Sequence, residues 1–370
     1  MYQYNTKIDL NILPNKGFVN FTFDNDENSF ITTYVNGSPK KKWTRGYPNG
    51  GDFKAIVPSF IGNNDDMMIT FIAKVNKGPY TTSSENFILA SSLGSGGKIF
   101  EIPALVNGKN FAPVSVSFDS TKIIMVGLNY PTKDVLTGGP EGLSFIELDL
   151  KGKIIKSQSQ TFEENLGKYF PMENHKIAGD YLFYVHAIEK TKSDSYVLLG
   201  EKFRKKTSGG GAALTIVTQG SGGFVKLELE NMILIEFDKD GNVLQAKEIP
   251  KAKGFTPTFP SFLGFFPPYT LASTANGLGW LDYMYTLKNE DRSEITFSFL
   301  DYEKLEEDTK ATHNFGQIKY KNGEITNDKV AIKNEKATYT HLYPAKTGYI
   351  LQMNYFKKKK QMTMDFIKLN

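Results

Sequence analysis

The chain has 370 residues, of which 40% are hydrophobic and 13% aromatic, enough apolar material for a large core. Its 44 basic and 40 acidic residues give a net charge of +4, too small for a nucleic-acid-binding protein, whose phosphate contacts need a concentrated basic face. The absence of cysteine excludes disulfides, thiolate metal ligands and a cysteine nucleophile, and no apolar run reaches the roughly 18 residues needed to span a bilayer.

The N-terminal residues MYQYNTKIDL contain neither the basic region nor the apolar stretch of a signal peptide. The lack of cysteine and the abundance of tyrosine, phenylalanine, asparagine and lysine fit a bacterial envelope protein. We therefore expect a periplasmic, cell-surface or extracellular protein whose signal peptide has been removed, or a cytoplasmic protein if Met1 is the native start.

Segments of alternating apolar and polar residues, separated by glycine turns, recur along the chain and predict an all-β fold. Ile295–Leu300 reads I-T-F-S-F-L, which places isoleucine and two phenylalanines on one face of a strand. Asn-Gly and Asp-Gly pairs supply the positive φ angles that tight hairpins require, and they recur at Asn36-Gly37, Asn107-Gly108, Asp240-Gly241 and Asn322-Gly323.

In chain order, an isolated N-terminal strand, Thr6–Leu13, precedes a series of units that each hold up to four strands, named A to D. Strand A begins near Phe18, Met67, Val114, Ile177, Trp280 and Thr338, and strand B near Phe30, Phe87, Ile123, Tyr196, Ile295 and Tyr349. The first A strands lie 49 and 47 residues apart, close to the length of a propeller blade, and insertions account for the longer later spacings.

The third and fourth units carry the strongest internal similarity. GLSFIELDLKGKIIKSQ from Gly142 aligns with NMILIEFDKDGNVLQAK from Asn231, since in both an apolar strand ends in Glu-apolar-Asp before a glycine turn. Ahead of them, KIIMVGLNY and SYVLLGEKF share an apolar triplet followed by glycine. YVLLGEKF with LIEFDKDGNVLQAKEI resembles the repeats of β-propellers, and beyond that large secreted or envelope propellers of Bacteroidota.

The last unit is short, because only Gln361–Leu369 follows its strand B. The pattern and the resemblance imply a six-bladed β-propeller in which Thr6–Leu13 supplies the missing strand D of the last blade, so that no sheet edge stays open there. Seven blades, or a two-sheet β fold, are the alternatives. We expect a single propeller domain over residues 1–370.

Two long irregular stretches, residues 204–230 and 251–279, are predicted as insertions in and after the fourth unit. In a propeller both connections emerge on one face and in one sector, so we expect them to meet. The second contains GFTPTFPSFLGFFPPYTL, Gly254–Leu271, which has no charged residue. Exposing its aromatic side chains would forfeit about 1.5–3 kcal/mol for each one that can be buried, so the segment must pack on something.

Two interpretations of this aromatic segment stay open. In one, it folds over the rim and packs beneath the glycine-rich insertion. In the other, several of its rings remain accessible to a partner protein or a glycan. The second interpretation predicts a partner-binding surface composed of Phe255, Phe259, Phe262, Phe265, Phe266, Tyr269 and Trp280.

Motifs for catalysis, nucleotides and metals are missing. No G-x-S-x-G, H-E-x-x-H or complete Walker loop occurs, and Asp238–Asn242 (DKDGN) reads as a hairpin turn. We therefore predict no catalytic residue, no cofactor and no metal site. His186 is expected to be hydrogen-bonded inside a strand, and carboxylates such as Asp180, Asp282 and Asp301 would serve a glycosidase only if the fold pairs them.

The expected function is a non-enzymatic binding or scaffold propeller of the envelope or secreted space. It would engage a protein partner, such as an outer-membrane complex, through the face that carries the two insertions. A glycan-binding or glycan-cleaving propeller is the alternative, and a cytoplasmic scaffold is a third interpretation. Asp119-Ser120-Thr121 resembles a short O-glycosylation triplet, but such triplets are common by chance and Asp-Ser is also an ordinary turn, which is the favoured interpretation.

Overall fold

The computed structural model of the chain describes residues 10–13, 16–24, 29–36, 42–49, 51, 53–76, 84–130, 139–173, 176–177, 180–207, 225–260, 263–264, 266–303, 312–332, 339–345 and 349–368. The chain divides into two compact units. Unit one comprises residues 1–179, 237–244 and 266–270, and unit two comprises residues 180–236, 245–265 and 271–370.

The described part of unit one is built from antiparallel sheets whose strands follow one another in sequence. The first sheet contains β1 (Leu10–Leu13), β2 (Gly17–Asp24), β3 (Ser29–Val35) and β4 (Lys42–Tyr47). The second contains β5 (Phe53–Asn63), β6 (Met67–Asn76), β7 (Ser84–Ser92) and β8 (Lys98–Pro103). The third contains β9 (Leu105–Val106), β10 (Lys109–Phe118), β11 (Lys122–Tyr130), β12 (Gly142–Asp149) and β13 (Ile154–Thr161). Helix α1 (Phe162–Leu166) and the hairpin of β14 (Met172–Glu173) and β15 (Lys176–Ile177) follow.

The remaining elements continue the same meander. The fourth sheet, most of which belongs to unit two, contains β16 (Leu182–Lys190), β17 (Tyr196–Thr207), β18 (Val225–Phe237) and β19 (Val243–Ile249), and the short β20 (Gly254–Phe255) pairs with β18. Helix α2 (Pro268–Gly277) comes next. The fifth sheet contains β21 (Tyr283–Lys288), β22 (Glu294–Glu303), β23 (Thr312–Lys321) and β24 (Glu324–Ala331), and the sixth contains β25 (Tyr339–Pro344), β26 (Tyr349–Phe356) and β27 (Gln361–Lys368). The all-β prediction is therefore confirmed.

Consecutive sheets pack face to face within each unit. In unit one, Ile69 and Ile88 of the second sheet share an apolar core with Phe111 and Ile123 of the third. In unit two, the fourth and fifth sheets share a core that contains Leu199 and Phe297, and the fifth and sixth share one that contains Phe315 and Ile350. Alternation of apolar and polar residues produces this packing, because successive side chains of a strand point to opposite faces.

A β-bulge recurs in the first long strand of the second to fifth sheets, where one residue has no partner on the neighbouring strand. These extra residues are Ile61, Val114, His186 and Met284. Gly127 and Gly200 lie opposite the bulges of the third and fourth sheets. A Cβ at Gly127 would lie 2.1 Å from the carbonyl oxygen of Ala112, so the glycine that follows each apolar triplet permits this close backbone approach.

The predicted closure of the last blade by the N-terminal strand is wrong for the described residues. Leu10–Leu13 pairs with β2 in the first sheet, with Leu10 opposite Asn20 and Leu13 opposite Gly17, and residues 6–9 lie outside the described part. The segment is therefore strand A of the first sheet. The predicted numbering of the strands is therefore off by one in the first two sheets. The strands predicted as A at Phe18 and Met67 are the second strands of their sheets.

The two predicted insertions are partly regular. Residues 204–207 and 225–230 extend β17 and β18, and residues 208–224 lie outside the described part. In the second stretch, β20 pairs with β18, so that Phe255 lies opposite Glu228, and the amide of Phe259 donates a hydrogen bond of 2.8 Å to the carbonyl of Val225. Parts of the two stretches are therefore joined by backbone pairing.

Candidate functional site

A cavity of about 330 Å³ opens in unit one between the β3–β4 strand pair and strands β6 to β8. Its size lies near the lower end of the range of about 300–1,000 Å³ that is common for small-molecule sites. Its lining combines aromatic rings, a carboxylate and basic side chains. Such a mixture of apolar wall and a few convergent polar groups is typical of a ligand pocket.

One wall of the pocket is formed by alternate residues of β4. Trp43, Arg45 and Tyr47 lie on the same face of the strand because every second side chain points the same way. The two aromatic rings rest on the neighbouring strand β3, where Tyr34 lies directly opposite Trp43 and Phe30 directly opposite Tyr47. The Tyr47 ring stacks on Phe30 with centroids 5.0 Å apart and planes 8° from parallel. Cross-strand packing therefore fixes both rings.

The turn between β7 and β8 fixes the outer part of this wall. The indole Nε1 of Trp43 donates a hydrogen bond of 2.8 Å to the carbonyl of Leu93, and Nε of Arg45 donates one of 3.2 Å to the carbonyl of Ser95. Gly96 packs directly beneath them with φ +70°, and a Cβ there would lie 2.6 Å from Cε3 of Trp43. Only glycine adopts this conformation at this distance without strain.

The opposite wall presents the carboxylate of Glu101 on β8. Its Oε1 accepts a hydrogen bond of 2.5 Å from the hydroxyl of Tyr47 and one of 3.1 Å from Nζ of Lys74. The Lys74 ammonium lies 4.0 Å from the ring centroid of Phe87 and 5.7 Å from that of Phe53, so aromatic faces also hold the cation. Glu101 and Lys74 are thus positioned by several contacts each.

A bulge in β8 brings Lys98 to the same side as Glu101. Residues three apart in a regular strand point to opposite faces. The register shifts between Ala90 and Ser91, which pair with Phe100 and Lys98, so Ile99 is an extra residue. Nζ of Lys98 consequently reaches Oε2 of Glu101 at 3.4 Å.

The electrostatics of the pocket keep Glu101 ionised at neutral pH. Burial opposes its ionisation, but the hydrogen bonds from Tyr47 and Lys74 outweigh it and hold the pKa of Glu101 below its ordinary value. Burial, reinforced by the same carboxylate, raises the pKa of Tyr47, so the phenol stays a hydrogen-bond donor. The pocket therefore offers flat apolar surfaces, a fixed acceptor and several cationic side chains.

A second polar cluster lies between the fourth and fifth sheets of unit two. Nζ of Lys251 lies 3.1 Å from Oε1 of Glu201 and 2.5 Å from Oδ2 of Asp282. Nε2 of His186, the extra residue of the β16 bulge, lies 3.1 Å from the other oxygen of Glu201. The side chains of Lys251, Glu201 and His186 have no solvent exposure, and that of Asp282 is 3% exposed. The sequence-based expectation that His186 is hydrogen-bonded inside a strand is met.

Of the three carboxylates considered for a glycosidase, Asp282 and Asp301 are buried in this interior, whereas Asp180 is exposed. Asp282 is paired with Lys251 as described, and Asp301 accepts a hydrogen bond of 2.7 Å from the amide of Ala252 while its other oxygen lies 2.5 Å from Nζ of Lys329. Among the described residues, no group of three or more histidine and acidic side chains is arranged to hold a metal ion. This cluster has the burial of a structural element, whereas the pocket of unit one is open.

The model of a family of unknown function, DUF6770, matches residues 3–370. The chain belongs to this family. A search of curated proteins found no match. Among the described residues, no helix is long and apolar enough to cross a membrane.

Several solved structures resemble this DUF6770 chain distantly. The β-propeller domain of the Trilobed protease from Pyrococcus furiosus is 11% identical, with 98% of this chain and 82% of that one covered and a TM-score of 0.37. A subtype N11 neuraminidase-like protein of A/flat-faced bat/Peru/033/2010 (H18N11) is 10% identical, with 83% and 71% covered and a TM-score of 0.37. Xylan β-1,4-xylosidase from Bacillus halodurans C-125 is 9% identical, with 98% and 90% covered and a TM-score of 0.31. These TM-scores are too low to assign a ligand or an activity.

The predicted aromatic surface of the DUF6770 chain is divided among several environments. Phe255 is 52% exposed, and Nζ of Lys226 lies 3.7 Å from its ring centroid. Phe259 is buried against Trp280, with ring centroids 5.3 Å apart. Phe266 and Tyr269, which belong to unit one, are partly buried, and Phe262 and Phe265 lie outside the described residues. A partner-binding role for this set stays a prediction.

Two polar turns singled out in the sequence are hairpins. Asp238 accepts hydrogen bonds of 2.8 Å and 2.9 Å from the amides of Asp240 and Asn242 between β18 and β19. Asp119 accepts one of 2.7 Å from the amide of Lys122 between β10 and β11. Both carboxylates thereby cap their own turns. Modification of Ser120 stays a prediction.

Sequence reasoning missed the pocket. Its signal was the alternation Trp-Thr-Arg-Gly-Tyr within β4, which directly follows three consecutive lysines. Glu101 and Lys74 gave no signal, because the packing of two sheets brings them to the wall formed by β4.

Proposed function

We propose that this DUF6770 protein is a non-enzymatic binding protein that holds a saccharide in the unit-one pocket. The observation that carries the proposal is the arrangement of Trp43 and Tyr47 in one wall with the ionised, fixed carboxylate of Glu101 opposite. A glycan-binding protein is the alternative that the sequence left open.

The chemistry of a sugar ring matches this arrangement. A pyranose has apolar C–H faces that pack on flat aromatic rings, and a rim of hydroxyl groups that need acceptors and donors. Trp43 and Tyr47 supply the rings, Glu101 accepts from hydroxyl groups, and Lys98 donates to them. Because packing already holds the rings, little conformational entropy is lost when the ligand binds.

The polar groups of the pocket favour binding over hydrolysis. Most glycoside hydrolases use two carboxylates that flank the scissile bond. Glu101 supplies a carboxylate in the lining, and hydrogen bonds from Tyr47 and Lys74 lower its basicity. The acidic side chains of Asp282 and Asp301 are neutralised by buried or partly buried lysines in unit two.

The proposal extends to architecture and location. The six successive sheets would be blades of a six-bladed β-propeller, which their sequential order and face-to-face packing within each unit support. The protein would act in the periplasm, at the cell surface or outside the cell, where polysaccharides are exposed. Detection of the native chain in envelope or secreted fractions tests this location, and its recovery in the cytoplasm would overturn it.

The two tryptophans of the chain provide a direct test. In a Trp280→Phe variant, a bound saccharide is expected to change the remaining fluorescence, because Trp43 lines the pocket. In a Trp43→Phe variant the change should disappear and the affinity should fall by tenfold or more, about 1.4 kcal/mol. Titration with a panel of oligosaccharides measures the fluorescence change, and isothermal titration calorimetry measures the affinity. The proposal is contradicted if a fluorescence change persists in Trp43→Phe. It is also contradicted if no oligosaccharide of the panel changes the fluorescence of Trp280→Phe.

A protein partner is the second candidate function, and the exposure of Phe255 favours it. This ring is half exposed on the edge of the β18–β20 pair, although it belongs to an otherwise apolar segment. Phe255 would contact the partner together with whichever other residues of the aromatic segment are accessible.

Matched phenylalanine substitutions test this second candidate. Phe255→Ser is expected to weaken capture of a partner from an envelope extract while the melting temperature changes by only a few degrees, since the ring is 52% exposed. Phe259→Ser should lower stability by about 3–5 kcal/mol, the range for a buried large-to-small change, because that ring is 1% exposed. Affinity purification and thermal unfolding measure the two effects. Unchanged capture by Phe255→Ser would exclude this surface.

A further inference from the structure

We propose that the saccharide held in the pocket is acidic and carries a carboxylate that the Arg45 guanidinium binds. This inference rests on the proposed saccharide binding and narrows its ligand to uronic-acid sugars. The pocket lining supports it, because Arg45, Lys74 and Lys98 face a cavity with Glu101 as the acidic side chain.

The charges of the lining are not equivalent. Lys74 is 15% exposed, paired with Glu101 and surrounded by aromatic rings, so it is already neutralised. Lys98 is 62% exposed and only 3.4 Å from Glu101 Oε2, a long contact. Arg45 has no carboxylate within salt-bridge distance among the described residues. Because Lys74 already pairs with Glu101, the positive charge of Arg45 remains without an acidic partner in the described part of the pocket.

Arg45 is also held in place for recognition. Its Nε donates to the carbonyl of Ser95, and its side-chain stem packs on Gly96, where a Cβ would lie 2.7 Å from Cγ of Arg45. The Nη groups donate no hydrogen bond to a carbonyl of the described turn, so they remain as donors for a ligand. A guanidinium that is fixed at one nitrogen loses little entropy when its other donors bind a planar carboxylate.

The position of Arg45 fits a sugar acid in particular. Arg45 lies between Trp43 and Tyr47 on the same strand face. The carboxylate of a uronic acid projects from the edge of the pyranose ring. A ring that stacks on the aromatic side chains can therefore direct its carboxylate to the guanidinium while its hydroxyl groups face Glu101.

A matched pair of probes isolates the charge. Digalacturonic acid is expected to bind at least tenfold more tightly than its methyl ester, which has the same rings without the charge. Raising the salt concentration from 0.05 M to 0.5 M should narrow this difference, because exposed charges are screened. Isothermal titration calorimetry of the full chain measures both affinities.

Three substitutions assign the effect to Arg45. Arg45→Gln should abolish the preference, so that this variant binds the acid no more tightly than the ester. Lys98→Gln should reduce the affinity for the acid by a smaller factor. This variant still tests whether a positive charge of the pocket binds the carboxylate if Arg45→Gln does not fold. Lys358→Gln removes the same charge from an exposed turn outside the pocket lining and should change neither affinity.

The outcomes separate this inference from the function on which it rests. Equal binding of acid and ester would overturn the inference but leave saccharide binding intact. Failure of both probes and of every neutral sugar to bind would overturn saccharide binding as well. Tighter binding of a sulfated galactose disaccharide than of digalacturonic acid, lost in Arg45→Gln, would show that the bound anion is not a carboxylate.

Discussion

Replacement of Lys251 by alanine is expected to lower the free energy of unfolding by about 3–5 kcal/mol, the cost of breaking a buried ion pair. Its ammonium lies between Glu201 and Asp282, at 3.1 Å and 2.5 Å, and no part of the Lys251 side chain reaches solvent. Without this cation, two carboxylates would face each other inside an apolar core. Urea unfolding of the purified chain measures the loss.

A neighbouring lysine provides the matched control. Lys253 lies two residues further on, is 58% exposed and pairs with Glu230 at 3.0 Å. Because solvent screens that pair, Lys253→Ala should cost about 1 kcal/mol or less. Similar small losses for both variants would contradict the assignment of Lys251 to a buried electrostatic cluster.

The pH dependence of the Lys251 variant follows from the same cluster. Burial opposes ionisation of Glu201, but Lys251 and His186 outweigh it and lower the pKa of Glu201, so its stabilising contribution is lost as pH falls through that lowered pKa. Lys251 has a raised pKa because the two carboxylates outweigh burial, so its contribution is lost as pH rises through that raised value. The difference in free energy of unfolding between the wild type and Lys251→Ala should therefore be largest near neutral pH. It should shrink in acid, where the carboxylates that have lost their lysine partner become protonated.

Local sequence patterns predicted the strands well where one side of the strand is buried. Ile295–Leu300 lies within β22, and its phenylalanines belong to the core shared by the fourth and fifth sheets. The apolar triplet followed by glycine was also informative, since Gly127 and Gly200 lie opposite recurring bulges. A period-two pattern and a missing Cβ both act within one sheet, so they leave a readable trace in the sequence.

The register of the first two sheets could not be read in the same way. Strand β5 has the sequence FKAIVPSFIGN, and its Pro58 argues against a central strand. β5 is an edge strand, where a proline is tolerated, and its apolar residues are mostly half buried. Without β5 in the count, the sequence pattern leaves Leu10–Leu13 without a sheet of its own and assigns it to the last blade.

The pocket could not be predicted because its parts come from different sheets. Trp43 and Arg45 lie on the first sheet, and Lys74 and Glu101 lie on the second. Their meeting depends on which faces pack together, and the alignment of Lys98 with Glu101 depends on a bulge at Ile99. Neither property is encoded in residue spacing, which would place Lys98 and Glu101 on opposite faces.

The aromatic segment shows why composition alone did not assign a surface. Its apolar residues suggested one continuous platform, yet Phe259 is 1% exposed and Phe255 is 52% exposed. Backbone pairing with β18 makes the difference, because it directs one ring to the interior and the other to solvent. Prolines and phenylalanines indicate that a segment is packed, but the strand beside it decides which ring is accessible.

Replacement of Gly96 by alanine is expected to weaken saccharide binding by more than tenfold and to destabilise the chain by about 1–3 kcal/mol, the cost of a residue held in an unfavourable conformation. Gly96 has φ +70°, and its new Cβ would lie 2.6 Å from Trp43 and 2.7 Å from Arg45. Both side chains would have to move, so the aromatic wall and the guanidinium of the pocket would lose their positions together.

Gly94 in the same turn provides the control for this change. A Cβ at Gly94 would lie 3.7 Å from the hydroxyl oxygen of Ser92, which is an ordinary contact distance. Gly94→Ala should therefore keep the saccharide affinity and the free energy of unfolding of the wild type, while Gly96→Ala lowers both. Calorimetric titration with the saccharide and urea unfolding of the two variants measure the difference. If Gly96→Ala binds as tightly as Gly94→Ala, the turn between β7 and β8 does not position the wall, and Trp43 and Arg45 must be held by the β3–β4 pair alone.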